Sequence, residues 1–279
     1  MSLDWYNKLL CHFPPEGCYM NQKLTLKLSA LPFLILGAGG TGLVLRVLLY
    51  TLGTDSRGLL PRYHPLHVVT LVLTTATAIG LFWIIRKLDG SNRYRKNFPA
   101  SFPAGFVTFF SAGWLLLVAF SLLERAAGKL DMVLTVLAFL SVPCLVVTGI
   151  FRIKGKRPLF LFHGFVFLFY ALYMVCQYRA WSAEPQLPDY IFHIFACIFL
   201  TLTAYYHTAF DVGAGRRRML LFCSLMAAYL CFLSLVGSGD GRFYFGGGVW
   251  ALANLCPLDP PPKKQRADTI RIPTIQERS

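Results

Sequence analysis

His193 and His207 stand fourteen residues apart in one apolar run. On an α-helix that is about 21 Å along the axis, enough to set one imidazole, a common haem ligand, towards each face of a membrane. His67 and His163 lie in other apolar runs, and a bundle of alternating spans brings His67 to the depth of His193 and His163 to that of His207. The four residues are thus candidate haem b ligands. Histidines that simply prefer the membrane boundary reach the same depths, as Tyr190, Tyr205 and Tyr206 do beside them. The neighbouring Phe162, Phe165, Phe192 and Phe195 are also bulky where a porphyrin needs room. The expectation is a colourless protein with interfacial histidines and no cofactor.

Other patterns have chemical readings as well. Gly37-Ala38-Gly39-Gly40-Thr41-Gly42 fits G-x-G-x-x-G, and Asp55 follows. A dinucleotide fold needs those glycines between a strand and a helix inside an alternating βαβ unit. Here the flanks are membrane-length apolar runs, so the motif predicts close helix packing through small residues. Cys11, His12 and Cys18 are not at zinc-knuckle spacing, and no metal site is expected. Cys144, Cys176, Cys197, Cys223, Cys231 and Cys256 read as small hydrophobes. Thr70, Thr74 and Thr77 share a helix face, which predicts packing with the hydroxyls returned to the backbone; a polar path for a transporter is the alternative. Arg46 lies one to two turns inside a span and is expected to pair with Glu124, an interaction worth about 1 kcal/mol at a partly wet boundary. Glu124, Asp131, Asp189 and Asp211 all fall at helix ends, which argues against proton-coupled transport and intramembrane aspartyl proteolysis.

The elements that must position these residues are set by composition. Of 279 residues 56% are hydrophobic and 14% charged, where a soluble domain devotes about a quarter to charge. A span needs about twenty mostly apolar residues. Seven runs qualify: Leu28 to Leu52, Leu66 to Ile85, Gly105 to Leu123, Met132 to Phe151, Pro158 to Tyr178, Tyr190 to Phe210 and Met219 to Val236. An eighth, Phe243 to Leu258, is shorter and carries Gly246, Gly247 and Gly248. Pro143 is expected to kink the fourth run, and Phe98-Pro99-Ala100-Ser101-Phe102-Pro103 to form an elbow in the interface.

The formal charge of +14 belongs to the loops rather than to a nucleic-acid site. Arg86, Lys87, Arg93, Arg95 and Lys96 follow the second run, Arg152, Lys154, Lys156 and Arg157 the fourth, and Arg216, Arg217 and Arg218 the sixth. Alternate loops are poorer in basic residues. The tail holds Lys263, Lys264 and Arg266 and joins the basic side only if the eighth run crosses, which predicts eight spans with both termini cytoplasmic. No cleavable signal is expected before Leu28, because Asp4, Pro14, Pro15 and Glu16 replace the basic start. The expected organisation is a cytoplasmic segment 1–27, a helical bundle 28–258, and a Pro-rich basic tail 259–279 resting on anionic lipid.

The stretch Arg179-Ala180-Trp181-Ser182, Pro185-Gln186-Leu187-Pro188-Asp189-Tyr190, Ala209-Phe210-Asp211 and Arg216-Arg217-Arg218 resembles a pattern in uncharacterised multi-pass membrane proteins of anaerobic Gram-positive bacteria. It covers roughly the last hundred residues. The resemblance implies a bacterial plasma membrane and carries no assigned activity. The combined expectation is an all-α polytopic bundle of about eight spans and a non-enzymatic accessory, sensor or small-solute or lipid-handling role, with a membrane protein as possible partner. A transporter and a haem b redox protein are the alternatives.

Overall fold

The computed structural model describes residues 31–53, 64–88, 94–126, 128–182, 190–237, 240–253 and 255. Segment 1–27, with Cys11, His12 and Cys18, and tail 259–279, with Lys263, Lys264 and Arg266, lie outside them, as does Cys256. The described residues are helical throughout, with no strand: α1 (Leu31–Leu52), α2 (Pro65–Arg86), the single-turn α3 (Tyr94–Asn97), α4 (Phe102–Arg125), α5 (Lys129–Lys154), α6 (Phe160–Trp181), α7 (Ile191–Val212), α8 (Arg217–Leu233) and α9 (Gly241–Ala253). The eight long helices fall on the eight apolar runs. α5 continues as one helix through Pro143.

Six helices, α1, α2 and α4 to α7, are long and apolar enough to cross a membrane. Their outer faces carry Phe33 and Val44 on α1, Val72 and Trp83 on α2, and Phe106 and Phe120 on α4, all exposed. In water such a surface would aggregate; against lipid tails it is matched. α8 has 17 residues and α9 only 13. At about 1.5 Å per residue both fall short of the roughly 30 Å hydrocarbon layer. The packing resolves the shortfall. α8 lies against α1, α2, α7 and α9, and α9 against α4, α7 and α8, so these two are the interior helices of the bundle. Surrounding protein rather than lipid sets their length.

Glycine makes that interior possible. A Cβ at Gly247 would meet Leu200 of α7 at 2.8 Å, one at Gly248 would meet Cys231 of α8 at 3.1 Å, and one at Gly246 would strike Trp114 of α4. Three consecutive glycines thus seat α9 against three different helices. The G-x-G-x-x-G run lies in the middle of α1, where a Cβ at Gly39 would press on Phe232 and one at Gly42 would reach Leu233 at 2.5 Å, while Gly37 and Gly40 face open space. The motif is a helix-packing stripe against α8.

Contacts between helix ends fix the direction of each crossing. The start of α4 meets the end of α5 through Ser101 N–H donating to the Arg152 carbonyl at 3.2 Å. Arg218 Nε at the start of α8 donates to the Leu88 carbonyl after α2 at 2.8 Å. At the other end, Arg125 of α4 pairs with Asp240 just before α9 at 2.5 Å. The chain therefore enters and leaves the bundle on one side, called here the basic end because Arg86, Arg152 and Arg216 to Arg218 collect there.

Candidate functional site

Four ionisable side chains are buried together at the basic end. Arg152 of α5 is 3% exposed, His163 of α6 and His207 of α7 are 1%, and Asp211 of α7 is 5%. Asp211 follows His207 by four residues, so the two lie one above the other on one face of α7. His163 Nδ1 makes a very short contact with Asp211 Oδ2. The imidazoles of His163 and His207 stack with centroids 5.2 Å apart and planes 19° off parallel. Arg152 Nη2 lies 3.4 Å from His207 Nδ1. The Trp250 ring of α9 closes the inner side, 5.7 Å from His207. His163 Nε2, His207 Nε2 and Asp211 Oδ1 are buried with no hydrogen-bond partner.

The elbow before α4 covers this cluster. Ser101 Oγ accepts from Ala104 N–H at 3.4 Å to cap α4, and the left-handed Gly155 (φ 62) ends α5 beneath Ala100. Phe98 is thereby pushed inward, 2% exposed, with the Arg152 guanidinium 3.9 Å above its ring and the rings of His207 and Phe210 at 5.8 and 5.4 Å. Tyr94 packs on Phe98 at 5.0 Å. Burial pushes the Tyr94 phenol above its ordinary range, opposed by Arg152, reinforced by Asp211 and opposed again by Arg157, so it stays neutral. Of the elbow, Phe98 alone is buried in the bundle, where it finds a cationic lid and two aromatic neighbours, while Pro99, Ala100, Phe102 and Pro103 stay exposed.

The histidines lie near helix ends and turn towards protein. His163, His193 and His207 are buried in protein, and His67 is half-buried. His193 sits among Trp181, Tyr190 and Tyr244, with centroids at 5.8, 5.9 and 5.2 Å, and His67 meets the edge of Phe192 at 5.8 Å. A haem does not fit between His163 and His207. Two axial imidazoles must aim lone pairs at one iron from opposite faces of a porphyrin, whereas His163 and His207 stack face to face and engage their Nδ1 atoms with Asp211 and Arg152. Among the described residues no three His, Cys, Asp or Glu side chains gather as metal ligands. Asp211, read from the sequence as a helix-end carboxylate, is a buried partner.

The expected pairing of Arg46 with Glu124 does not form. Arg46 is 2% exposed; its Nη2 donates to Tyr50 Oη at 2.9 Å and its guanidinium lies 5.0 Å from the Phe192 ring. α1 packs on α8 and α2, whereas α4 packs on α5 and α9, so Glu124 faces solvent on another side of the bundle. The threonines behave as packing residues. Thr70, Thr74 and Thr77 each donate to the carbonyl four residues back at 2.8 Å, and Thr74 also meets Tyr229 Oη of α8 at 3.2 Å.

At the end opposite the cluster a cleft of about 270 Å³ opens between α4, α6 and α9, lined by Ser121, Glu124, Arg125, Tyr173, Asp240 and Arg242 with Val118, Leu122 and Phe243 as its apolar floor. Asp240 is fully engaged, accepting from Tyr173 Oη and Gln177 Nε2 at 3.0 Å and pairing with Arg125. Among the described residues Arg242 donates to Ser121 Oγ at 3.2 Å, and neither Arg242 nor Glu124 has a charged partner. The sequence offered no sign of this cleft, because its walls come from residues 118–125, 173 and 240–243 and meet only in the fold. No protein-family model, curated protein or solved structure matches the chain.

Proposed function

We propose that this chain is a non-enzymatic, small-solute-handling component of a bacterial plasma membrane, with its basic end and both termini in the cytoplasm and its cleft on the outer side. The orientation rests on the arginines and lysines collected at the basic end, which stay cytoplasmic in multi-pass proteins. In this orientation the tail residues Lys263, Lys264 and Arg266 face anionic lipid.

The observation that carries the solute reading is the charge pattern of the cleft. Arg125 and Asp240 neutralise each other, and among the described residues Arg242 and Glu124, both on this cleft with its apolar floor, have no charged partner. That arrangement complements a small molecule with an ammonium and an anionic group, and a volume of about 270 Å³ lies just below the roughly 300 to 1,000 Å³ of drug-sized sites. Equilibrium binding to the full chain in nanodiscs tests it, with labelled glycine as the zwitterionic probe and acetate and tetramethylammonium as singly charged controls. Glycine is expected to bind, the controls at least tenfold more weakly, and Arg242→Gln and Glu124→Gln each to abolish the difference. Equal binding of all three, or none, overturns the reading.

A further inference from the structure

We infer that His163, Asp211 and His207 form a buried proton-binding site at the basic end of the bundle, with His163 Nε2 as the atom that takes the proton. This is independent of the solute reading, since cluster and cleft lie at opposite ends of the helices.

The hydrogen-bonding roles follow from donor chemistry. Arginine has no acceptor, so where Arg152 Nη2 faces His207 Nδ1 the imidazole nitrogen accepts, and neutral His207 carries its hydrogen on Nε2. Asp211 as a carboxylate only accepts, so His163 Nδ1 donates to Oδ2. Neutral His163 is then left with a lone pair on Nε2, buried and unpartnered. The cluster is balanced in this state: one cation, Arg152, one anion, Asp211, and two neutral rings.

A proton arriving at His163 Nε2 creates an imidazolium already hydrogen-bonded through Nδ1 to a carboxylate. No bond between heavy atoms changes; one N–H forms, and the proton comes from and returns to water. The groups facing the site from each packed element are Arg152 of α5, His207 and Asp211 of α7, Tyr94 of α3 and the uncharged Trp250 of α9. Arg157 lies beyond, 3.5 Å from where a Cβ on Gly213 would stand, and Arg217 opens α8 at the same end. Asp211 favours the added charge and the arginines oppose it. Phe98 packs over Arg152 and His207 at the basic end.

A purely structural pair would bury the same side chains but would not change protonation over the ordinary histidine range. The decisive measurement is the ¹⁵N spectrum of histidine-labelled full chain in nanodiscs between about pH 5 and pH 8, where imidazole changes charge. His163 is assigned by the signals lost in His163→Asn. Where that variant fails to fold, the through-space contact between the two stacked rings in the unmodified chain assigns it. The expected result is that His163 moves from the Nδ1–H tautomer to imidazolium as pH falls while His207 keeps its hydrogen on Nε2, and that Asp211→Asn abolishes the imidazolium signal over the same range. A His163 fixed in one protonation state throughout, or a titration unchanged in a folded Asp211→Asn chain, overturns the proposal.

Discussion

Ionisable residues inside a membrane bundle are expensive, and each buried here is held by a specific neighbour. Asp211 sits in the last turn of α7, where the helix dipole disfavours an anion; the hydrogen bond from His163 offsets that cost. Removing one partner of a buried hydrogen bond costs about 1 to 3 kcal/mol, towards the upper end where the group left unsatisfied is a carboxylate. His163→Leu is therefore expected to destabilise the folded chain by that amount in thermal unfolding, and the double change with Asp211→Leu to recover part of the loss. A double variant no more stable than His163→Leu alone contradicts the pairing. Arg46 gives the opposite forecast. Its partners are Tyr50 and Phe192, so the cycle of Arg46→Leu with Glu124→Leu should be additive within about 0.5 kcal/mol. A larger coupling would place Glu124 beside Arg46 after all.

Among the elements, α9 is seated by its own glycines and α8 is met by glycines of α1. Gly42→Val drives side-chain atoms into Leu233, and Gly247→Val does the same at Leu200. Overpacking of this kind costs about 1 to 3 kcal/mol, read as a lower unfolding temperature in detergent. Gly40→Ala is the matched control: it sits on the same helix with nothing within 4 Å, and alanine's better helix propensity should leave stability unchanged or raise it by up to about 1 kcal/mol. Equal effects at Gly40 and Gly42 would mean that the stripe does not face α8. The small-residue pattern was readable in the sequence as packing, but which glycines pack was not. Gly37, Gly39, Gly40 and Gly42 are chemically identical in the text, and only the direction in which α1 meets α8 separates them.

For the whole molecule, the alternating helices place entry and exit at the basic end, and the proposed orientation puts that end in the cytoplasm. A reporter active only outside the membrane, fused after Gly237 and after Ser279, is expected to be active at the first site and silent at the second. Activity at both would remove α9 as a crossing. The sequence by itself determined that the chain is an all-helical membrane bundle, because backbone groups in hydrocarbon must be satisfied within each helix and apolar run length reports that directly. It also marked each crossing and the side on which cations collect, both of which are local along the chain. It did not determine depth within the bundle. The eighth run looked weak by hydropathy, although α9 is an interior helix whose short length and three glycines are what its position demands. Asp211, Arg152, His163 and Phe98 were legible only as a helix end, a topology signal, a boundary histidine and a loop. Bringing them together took contacts between residues 48 to 109 positions apart, and the free energy that decides such contacts, burial of charge against charge and ring against ring, exists only once the helices have packed.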